Sequence, residues 1–195
     1  SRRRHTRYPL VTGVQTCALP ISDHCFGDSV QLSNATVVPP GETVDHYQWT
    51  IQESDPSVSN ATSPYVNFLG PGQYDIQLTA VTENGCRDSV TRSVHVFQLP
   101  VAAISPGDSG CVPVCHTFSD LSVANEGTLE QWSWNFPGGD PAASSDQNPG
   151  EVCYDAPGVY PVSLDIVSST GCKASITVDS LIRGYALPVA DFAVS

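Results

Sequence analysis

Basic residues are scarce in this 195-residue chain, which has eight Lys and Arg against 20 Asp and Glu. Four of the eight fall within residues 1–22, so residues 23–195 carry a formal charge of 4 − 20 = −16. Nucleic acids and anionic membranes bind proteins through Lys and Arg, so neither is expected as a partner. There is no run of 18 apolar residues, and membrane insertion is therefore not expected.

Residues 1–22 contain no acid and differ in composition from the rest of the chain. The stretch 11–21 resembles an in-frame translation of a common sequencing adapter. We interpret residues 1–22 as an artefactual or disordered leader and exclude them from fold reasoning. A signal peptide is the alternative, but polar residues such as Gln15 and Thr16 interrupt the apolar run that it needs.

Cysteine motifs for metal or redox chemistry are also missing, because there is no CxxC pair and no Cys/His cluster at zinc spacing. Without Cys17 the cysteine count is six, an even number. This indicates disulfides and an oxidising compartment, so the protein is expected at the cell surface or secreted. The disulfide candidates are Cys25, Cys86, Cys111, Cys115, Cys153 and Cys172.

The chain repeats itself with a period of about 86 residues. Cys25 and Cys86 are 61 positions apart, as are Cys111 and Cys172. The Leu-Pro-Val-Ala of residues 99–102 also recurs further along the chain. The predicted organisation is a leader (1–22), repeat 1 (23–98), repeat 2 (99–186) and the first strand of a truncated third repeat (187–195).

Each repeat consists of short alternating runs separated by Pro, Gly, Asn and Ser, which is typical of a β-sandwich. Trp132, Trp134 and Phe136 share one parity, so a strand turns all three to the same face. The predicted fold is therefore all-β, with tandem immunoglobulin-like sandwiches.

Repeat 2 contains Trp-Asn-Phe-Pro-Gly-Gly at 134–139, Asn-Pro at 148–149 and Tyr-Asp-Ala-Pro-Gly-Val-Tyr at 154–160. This combination resembles the PKD domain in the form common in surface proteins of Bacteroidetes. Repeat 1 lacks the Gly-rich turn after its tryptophan and looks like a diverged PKD-like or immunoglobulin-like unit. The family implies a seven-stranded sandwich used as a spacer or as a protein- or glycan-contacting module, without catalysis. The motif and core residues are Trp49, Trp132, Trp134, Phe136, Gly138, Gly139, Tyr154, Pro157, Gly158 and Tyr160.

Cys115 and Cys153 are predicted to pair, because repeat 1 lacks both at the corresponding positions, Ser29 and Asn67. In a sandwich of this topology the two lie on neighbouring antiparallel strands, on the outer face. Directly opposed residues there are close enough for a disulfide. Two unrelated free thiols are the alternative.

The pairing of the other four cysteines is left open. Cys111 is expected at one end of its sandwich and Cys172 at the other, so a bond within the repeat looks too long. In a head-to-tail array, Cys25 could instead reach Cys172. Pairing within each repeat, Cys25 with Cys86 and Cys111 with Cys172, is the alternative.

No catalytic arrangement is persuasive. Ser29 lies in a Phe-Gly-Asp-Ser block similar to that of GDSL esterases, but the late Asp-x-x-His of that family is missing. The five histidines are scattered, and His116 is expected to be a core histidine with satisfied hydrogen bonds. The acid-rich loop from Asp140 to Asp146 is a candidate calcium site, with a solvated loop as the alternative. No other cofactor is expected.

These observations predict a non-catalytic extracellular spacer or interaction module within a larger adhesin-like protein. Its expected partners are neighbouring repeats and a protein or polysaccharide ligand. The alternative is an accessory protein- or carbohydrate-binding module of a secreted hydrolase. Exposed aromatic side chains on one sheet of repeat 2 would favour that alternative.

Overall fold

The computed structural model describes residues 22–193, and all regular secondary structure in this part of the chain is β-strand. The chain divides into two compact units between Phe97 and Gln98. Within residues 22–193, no helix is long and apolar enough to cross a membrane. Apart from Ser22, the predicted leader lies outside the described residues.

Unit 1 consists of two sheets. Its strands are β1 (His24–Cys25), β2 (Ser29–Gln31), β3 (Val44–Ile51), β4 (Ser54–Asp55), β5 (Val58–Ser59), β6 (Tyr65–Phe68), β7 (Gly72–Thr82) and β8 (Arg87–Phe97). One sheet has the order β1-β8-β7-β3-β5 and the other β2-β6-β4. β1 runs parallel to β8, and every other pairing is antiparallel.

The core of unit 1 lies between these two sheets. Along β7, buried and exposed residues alternate, so that Tyr74, Ile76 and Leu78 all point inward. Trp49 on β3 is also buried, at 1% exposure. Each such side chain contributes about 1.5 to 3 kcal/mol by leaving water. The buried cluster is Val30, Leu32, Trp49, Ile51, Val66, Phe68, Tyr74, Ile76, Leu78, Val94 and Val96.

Unit 2 has seven strands among the described residues. They are β9 (Asp108–Cys111), β10 (Val114–Phe118), β11 (Leu129–Asn135), β12 (Ala143–Ser144), β13 (Gly150–Tyr154), β14 (Gly158–Ser168) and β15 (Lys173–Tyr185). One sheet has the order β12-β11-β14-β15-β9, and β10 pairs with β13 in the other. The prediction of all-β, immunoglobulin-like sandwiches is confirmed.

The core of unit 2 follows the parity seen in the sequence. Trp134 and Phe136 are almost completely buried, and Trp132 on the same face packs against the cluster at its margin. The buried residues are Val114, Phe118, Trp134, Phe136, Val152, Tyr154, Val162, Leu164, Ile166 and Ile182. No residue is shared with the core of unit 1, so each unit has its own core.

A tryptophan hydrogen bond recurs at equivalent places in the two units. The indole nitrogen Nε1 of Trp49 donates to the carbonyl oxygen of Ala61 at 3.0 Å. Nε1 of Trp134 donates to the carbonyl oxygen of Asp146, also at 3.0 Å. In both units the acceptor lies 12 residues after the tryptophan. The two repeats therefore share a structural plan despite their divergent sequences.

A tyrosine hydrogen bond recurs in the same way. The hydroxyl of Tyr74 donates to the carbonyl oxygen of Gly70 at 2.7 Å, and the hydroxyl of Tyr160 donates to that of Ala156. The acceptor precedes the tyrosine by four residues in both units. Each bond fixes the turn that leads into a long strand, β7 in unit 1 and β14 in unit 2.

Candidate functional site

The structure joins Cys115 and Cys153 by a disulfide with an S–S distance of 2.02 Å. The two residues are directly opposed on β10 and β13, and their Cα atoms are 4.0 Å apart. Inner and outer residues alternate along β10, so that Val114 faces the core and Cys115 faces outward. Glu151 lies beside the two sulfurs, but both sulfurs are in the S–S bond and are not thiolate ligands.

The two described cysteines of unit 1, Cys25 and Cys86, lie at opposite ends of the long strand β8. Cys25 is in register with Phe97, the last residue of β8, whereas Cys86 directly precedes its first residue. A strand of 11 residues spans about 35 Å, far beyond the reach of a disulfide. Cys25 is disulfide-bonded, and Cys86 is a free, exposed thiol.

Unit 2 repeats this arrangement along β15. Cys111 is in register with Tyr185, the last residue of β15, and Cys172 directly precedes the first. The 13 residues of β15 span about 40 Å. Cys172 is buried and disulfide-bonded, whereas Cys111 is a free, exposed thiol.

These findings correct part of the sequence analysis. Cys86 and Cys111 were disulfide candidates, but both are free thiols. Pairing within each repeat does not occur, because a long strand separates the two cysteines of each unit. The pairing predicted for Cys25 and Cys172 stays a prediction.

The Gly-rich turn after Trp134 allows two aromatic side chains to pack closely against the backbone. Gly138 has a φ of 82°, and a Cβ there would lie 2.7 Å from Cε1 of Tyr160. A Cβ on Gly139 would lie 2.7 Å from Cγ1 of Val152 and 3.1 Å from the ring of Tyr154. A larger residue at either position would displace core atoms.

Tyr154 lies under this turn and is completely buried. Its ring centroid is 4.5 Å from that of Tyr160, and its hydroxyl has no hydrogen-bond partner within the described part of the chain. Burial raises the pKa of Tyr154 to about 12, and the neighbouring Tyr160 adds to this effect. Pro157 is exposed, and Gly158 begins β14. Gly138, Gly139, Tyr154 and Tyr160 thus pack together at one corner of the sandwich, and Pro157 lies outside this packing.

The carboxylate of Asp120 holds three other groups in place by hydrogen bonds, and no sequence motif identified it. Its Oδ2 accepts hydrogen bonds from Nε1 of Trp132 at 2.8 Å and from Nε2 of Gln147 at 3.3 Å. Its Oδ1 accepts one from the backbone N–H of Ser122 at 2.9 Å. Partial burial acts to raise the pKa of Asp120, but the hydrogen bonds from Ser122, Trp132 and Gln147 outweigh it and hold the pKa below its usual value. An aspartate two residues before a serine was the available signal, since this spacing favours a local turn.

His116 differs from the expectation of a satisfied core histidine. It is half-buried on β10, opposite Val152, with its ring edge-on to Phe118 at 4.8 Å. Its buried Nε2 has no hydrogen-bond partner among the described residues. The reason is its position on the inner face of the sheet, where its neighbours are apolar.

The other motifs do not converge on a reaction centre. Ser29 begins β2 as an exposed residue opposite Asn67. Backbone hydrogen bonds hold the acidic loop in place. The N–H and C=O of Asp140 bond to the C=O and N–H of Cys153, and the carbonyl oxygen of Asp146 accepts the hydrogen bond from Nε1 of Trp134. Both aspartates are exposed, and calcium binding by this loop stays a prediction.

The aromatic side chains of repeat 2 face mainly inward. Of the seven Phe, Tyr and Trp residues in 99–186, all of them described, Tyr185 is exposed at 49%, and Trp132 and Tyr160 are half-buried. The other four, Phe118, Trp134, Phe136 and Tyr154, are buried. The sheet faces of unit 2 therefore present a single exposed ring, not an array.

Unit 1 has an open polar cleft of about 440 Å³. Its lining consists of Gln52, Glu53, Gln73, Tyr74, Asp75 and Ser93. The hydroxyl of Ser93 donates to the carboxylate of Asp75, and Tyr74 is only 7% exposed. The cleft therefore offers polar groups but no exposed ring on which a sugar could stack.

No family model matches the chain, and no curated protein matches it. Among solved structures, the chain is similar to fibronectin(III)-like modules of Clostridium thermocellum CbhA, with 14% identity and a TM-score of 0.40, covering 93% of this chain and 100% of that one. It is also similar to dimeric latent PorU from Porphyromonas gingivalis, with 10% identity and a TM-score of 0.37, covering 89% of this chain and 20% of that one. A third is Bacteroides ovatus SGBP-B in complex with a mixed-linkage heptasaccharide, with 10% identity and a TM-score of 0.31, covering 95% of this chain and 72% of that one.

Proposed function

We propose that this chain is a non-catalytic extracellular spacer or interaction module, built from PKD-type repeats of a larger surface or secreted adhesin-like protein. The observation that carries the proposal is that the motif residues are spent on packing the fold. Gly139, Tyr154 and Tyr160 pack together at one corner of the sandwich, and Trp134 fills the core. The most distinctive residues of the repeat thus maintain its shape, as a spacer requires.

The chemistry of the surface supports an extracellular location. Residues 23–195 have 16 more acids than bases, a composition that limits non-specific association with anionic surfaces. The Cys115–Cys153 disulfide lies on the outer face of unit 2, and such bonds persist in oxidising compartments. Both properties suit a module that projects other domains into the medium.

The absence of a converged site among the described residues supports the non-catalytic part of the proposal. An acyl-transfer site needs a nucleophile and a base within hydrogen-bond reach. Ser29, the residue of the esterase-like block, is paired in a sheet opposite Asn67 and begins a strand that contributes Val30 to the core. Its position is explained by the fold.

The accessory carbohydrate-binding alternative has less support. Sugar-binding surfaces stack rings on exposed aromatic side chains, and repeat 2 offers only Tyr185 on its sheets. The polar cleft of unit 1 has no exposed ring. Unit 1 has one strongly exposed ring on a strand, Tyr65 at 60%, and it lies outside the cleft. Neither unit is shown to group exposed rings around a cleft, which favours the spacer.

The test is a binding and activity screen of the intact chain. We expect no saturable binding to a glycan array, and no hydrolysis of acyl esters above that of a Ser29→Ala variant. Saturable glycan binding that Tyr185→Ala weakens more than tenfold would overturn the spacer function in favour of the accessory module. Ester hydrolysis that Ser29→Ala abolishes would overturn the non-catalytic part.

A further inference from the structure

Each unit has a cysteine at both ends, and in each unit one of the two is a free thiol. In unit 1 the free thiol is Cys86, in the turn between β7 and β8. In unit 2 it is Cys111, the last residue of β9. Both are exposed. The two free thiols thus occupy different positions in the repeat, one at the turn and one at the first strand.

The equivalent cysteine of the other unit is oxidised in both cases. Cys25 occupies the first-strand position of unit 1, as Cys111 does in unit 2, 86 residues later. Cys172 occupies the turn position of unit 2, as Cys86 does in unit 1. Cys25 and Cys172 are both disulfide-bonded. Each of the two positions is therefore a disulfide position in one unit and a thiol in the other.

The partner of a free thiol cannot come from the described residues of its own unit. β8 separates the first-strand and turn positions of unit 1, and β15 separates those of unit 2, by about 35 to 40 Å. A disulfide requires Cα atoms within about 7 Å. Cys115 and Cys153 are already bonded to each other. A cysteine from another repeat is the partner that remains.

We propose that Cys111 and Cys86 each form a disulfide with a cysteine of a flanking repeat of the same kind. Each bond would join the first-strand cysteine of one repeat to the turn cysteine of the next. For Cys111, the next repeat would begin at residues 187–190, where the Leu-Pro-Val-Ala of repeat 2 recurs. The proposal rests on the spacer function and deepens it, because it names the partner: a neighbouring repeat bound covalently. The bond predicted from the sequence between Cys25 and Cys172 would likewise join a first-strand cysteine to the turn cysteine of the next repeat.

The chemistry is thiol oxidation. As the S–S bond forms, two thiols lose two protons and two electrons. The electrons pass to a thiol–disulfide oxidoreductase in its disulfide form, or to a small-molecule disulfide, whose S–S bond is reduced to two thiols. The exposure of both cysteines makes them accessible to such an oxidant.

The test adds one repeat to the chain. A protein consisting of residues 22–186 followed directly by a second copy of 99–186 keeps the native junction, because residues 99 and 187 both begin Leu-Pro-Val-Ala. In the added copy, Lys173→Arg gives the turn-cysteine peptide a distinct mass. The protein is produced under oxidising conditions, its thiols are titrated under denaturing conditions, and its disulfides are mapped by mass spectrometry.

We expect two free thiols, Cys86 and the added copy's counterpart of Cys111, the same number as in residues 22–193 of the parent chain. Cys111 should be recovered joined to the arginine-marked peptide. Four free thiols, or Cys111 joined to any other cysteine, would overturn the proposal. If the Cys115 and Cys153 peptides are recovered only in the disulfide-bonded form, with no free thiol at either position, both copies of repeat 2 have folded and misfolding cannot be mistaken for a negative result.

A matched variant checks the assignment. Cys111→Ser in the same three-repeat protein should raise the number of free thiols from two to three, because the turn cysteine of the added copy loses its partner. A count that does not change would contradict the proposal. The outcome is separate from the function test: glycan binding by the intact chain would overturn the spacer function and leave the thiol count unchanged.

Discussion

The indole nitrogen of Trp134 donates a hydrogen bond to the carbonyl oxygen of Asp146, 12 residues further along the chain. This bond ties the end of β11 to the loop after β12, and Trp49 makes the same bond to Ala61 in unit 1. In both units the tryptophan is 1% exposed. The tryptophan therefore anchors a loop and fills the core at the same time.

Trp134→Phe should destabilise unit 2 alone, by about 2 to 3 kcal/mol, because it removes core volume and leaves the Asp146 carbonyl without its donor. Trp49→Phe should have the same effect on unit 1 alone. Urea denaturation monitored by hydrogen exchange of core amides in each unit checks this. Because the two cores share no residue, equal protection loss in both units from one substitution would show that the cores are coupled.

Gly138→Ala should cost about 1 to 3 kcal/mol more than Gly171→Ala. The two glycines have the same φ of 82°, so the cost of a positive φ is matched in the two variants. A Cβ at Gly138 meets the ring of Tyr160 at 2.7 Å, whereas at Gly171 nothing lies within 4 Å. The difference in the free energy of unfolding isolates the contact with Tyr160. Equal losses would mean that Tyr160 moves aside freely.

Replacing both Cys115 and Cys153 with Ser should destabilise unit 2 by about 3 to 4 kcal/mol on the chain-entropy model, because their disulfide closes a loop across a sequence separation of 38 residues. The substitution is preferable to a reducing agent, which would also reduce the disulfides of Cys25 and Cys172. Cys86→Ser with Cys111→Ser is the matched control, since both are exposed thiols. The control should lie within about 0.5 kcal/mol of the parent chain.

Asp120→Asn should lower the melting temperature of unit 2 near neutral pH and matter less in acid. The folded-state pKa of Asp120 lies below the usual aspartate value of 3.8, so the ionised carboxylate stabilises the fold above that pH. This contribution is lost as the pH falls through the lowered pKa. The gap in melting temperature between parent and variant should therefore narrow from pH 5 to about pH 2.5. Asp165→Asn, at an exposed position on β14, is the control. A gap that does not vary with pH would contradict the role of the charge.

The fold class could be predicted because its signals are local and periodic. The shared parity of Trp132, Trp134 and Phe136 is set by the pleat of one strand, and the repeat places equivalent strands in both units. The opposed positions of Cys115 and Cys153 follow from the same register argument. These relationships depend on strand order and alternation, which a sequence carries directly.

Other features depend on three-dimensional neighbours that no periodicity encodes. His116 was expected to have its hydrogen bonds satisfied, but the inner face places it among apolar side chains. Asp120 is bound by groups from three separate parts of the chain. The oxidation states of Cys86 and Cys111 depend on what lies within reach of each sulfur. The distance between two sulfurs is set by the folded strands, and an even number of cysteines in the sequence does not predict it.

The parallel pairing of the first and last strands of unit 2 has a mechanical consequence. β9 is in register with the end of β15 over four residues, from Asp108 opposite Ile182 to Cys111 opposite Tyr185. A pull on the two ends of the unit draws these strands past each other lengthwise, so their backbone hydrogen bonds are loaded together instead of opening one after another. In unit 1 the corresponding pairing covers only two residues of β1. Under tension, the first repeat should therefore yield before the second.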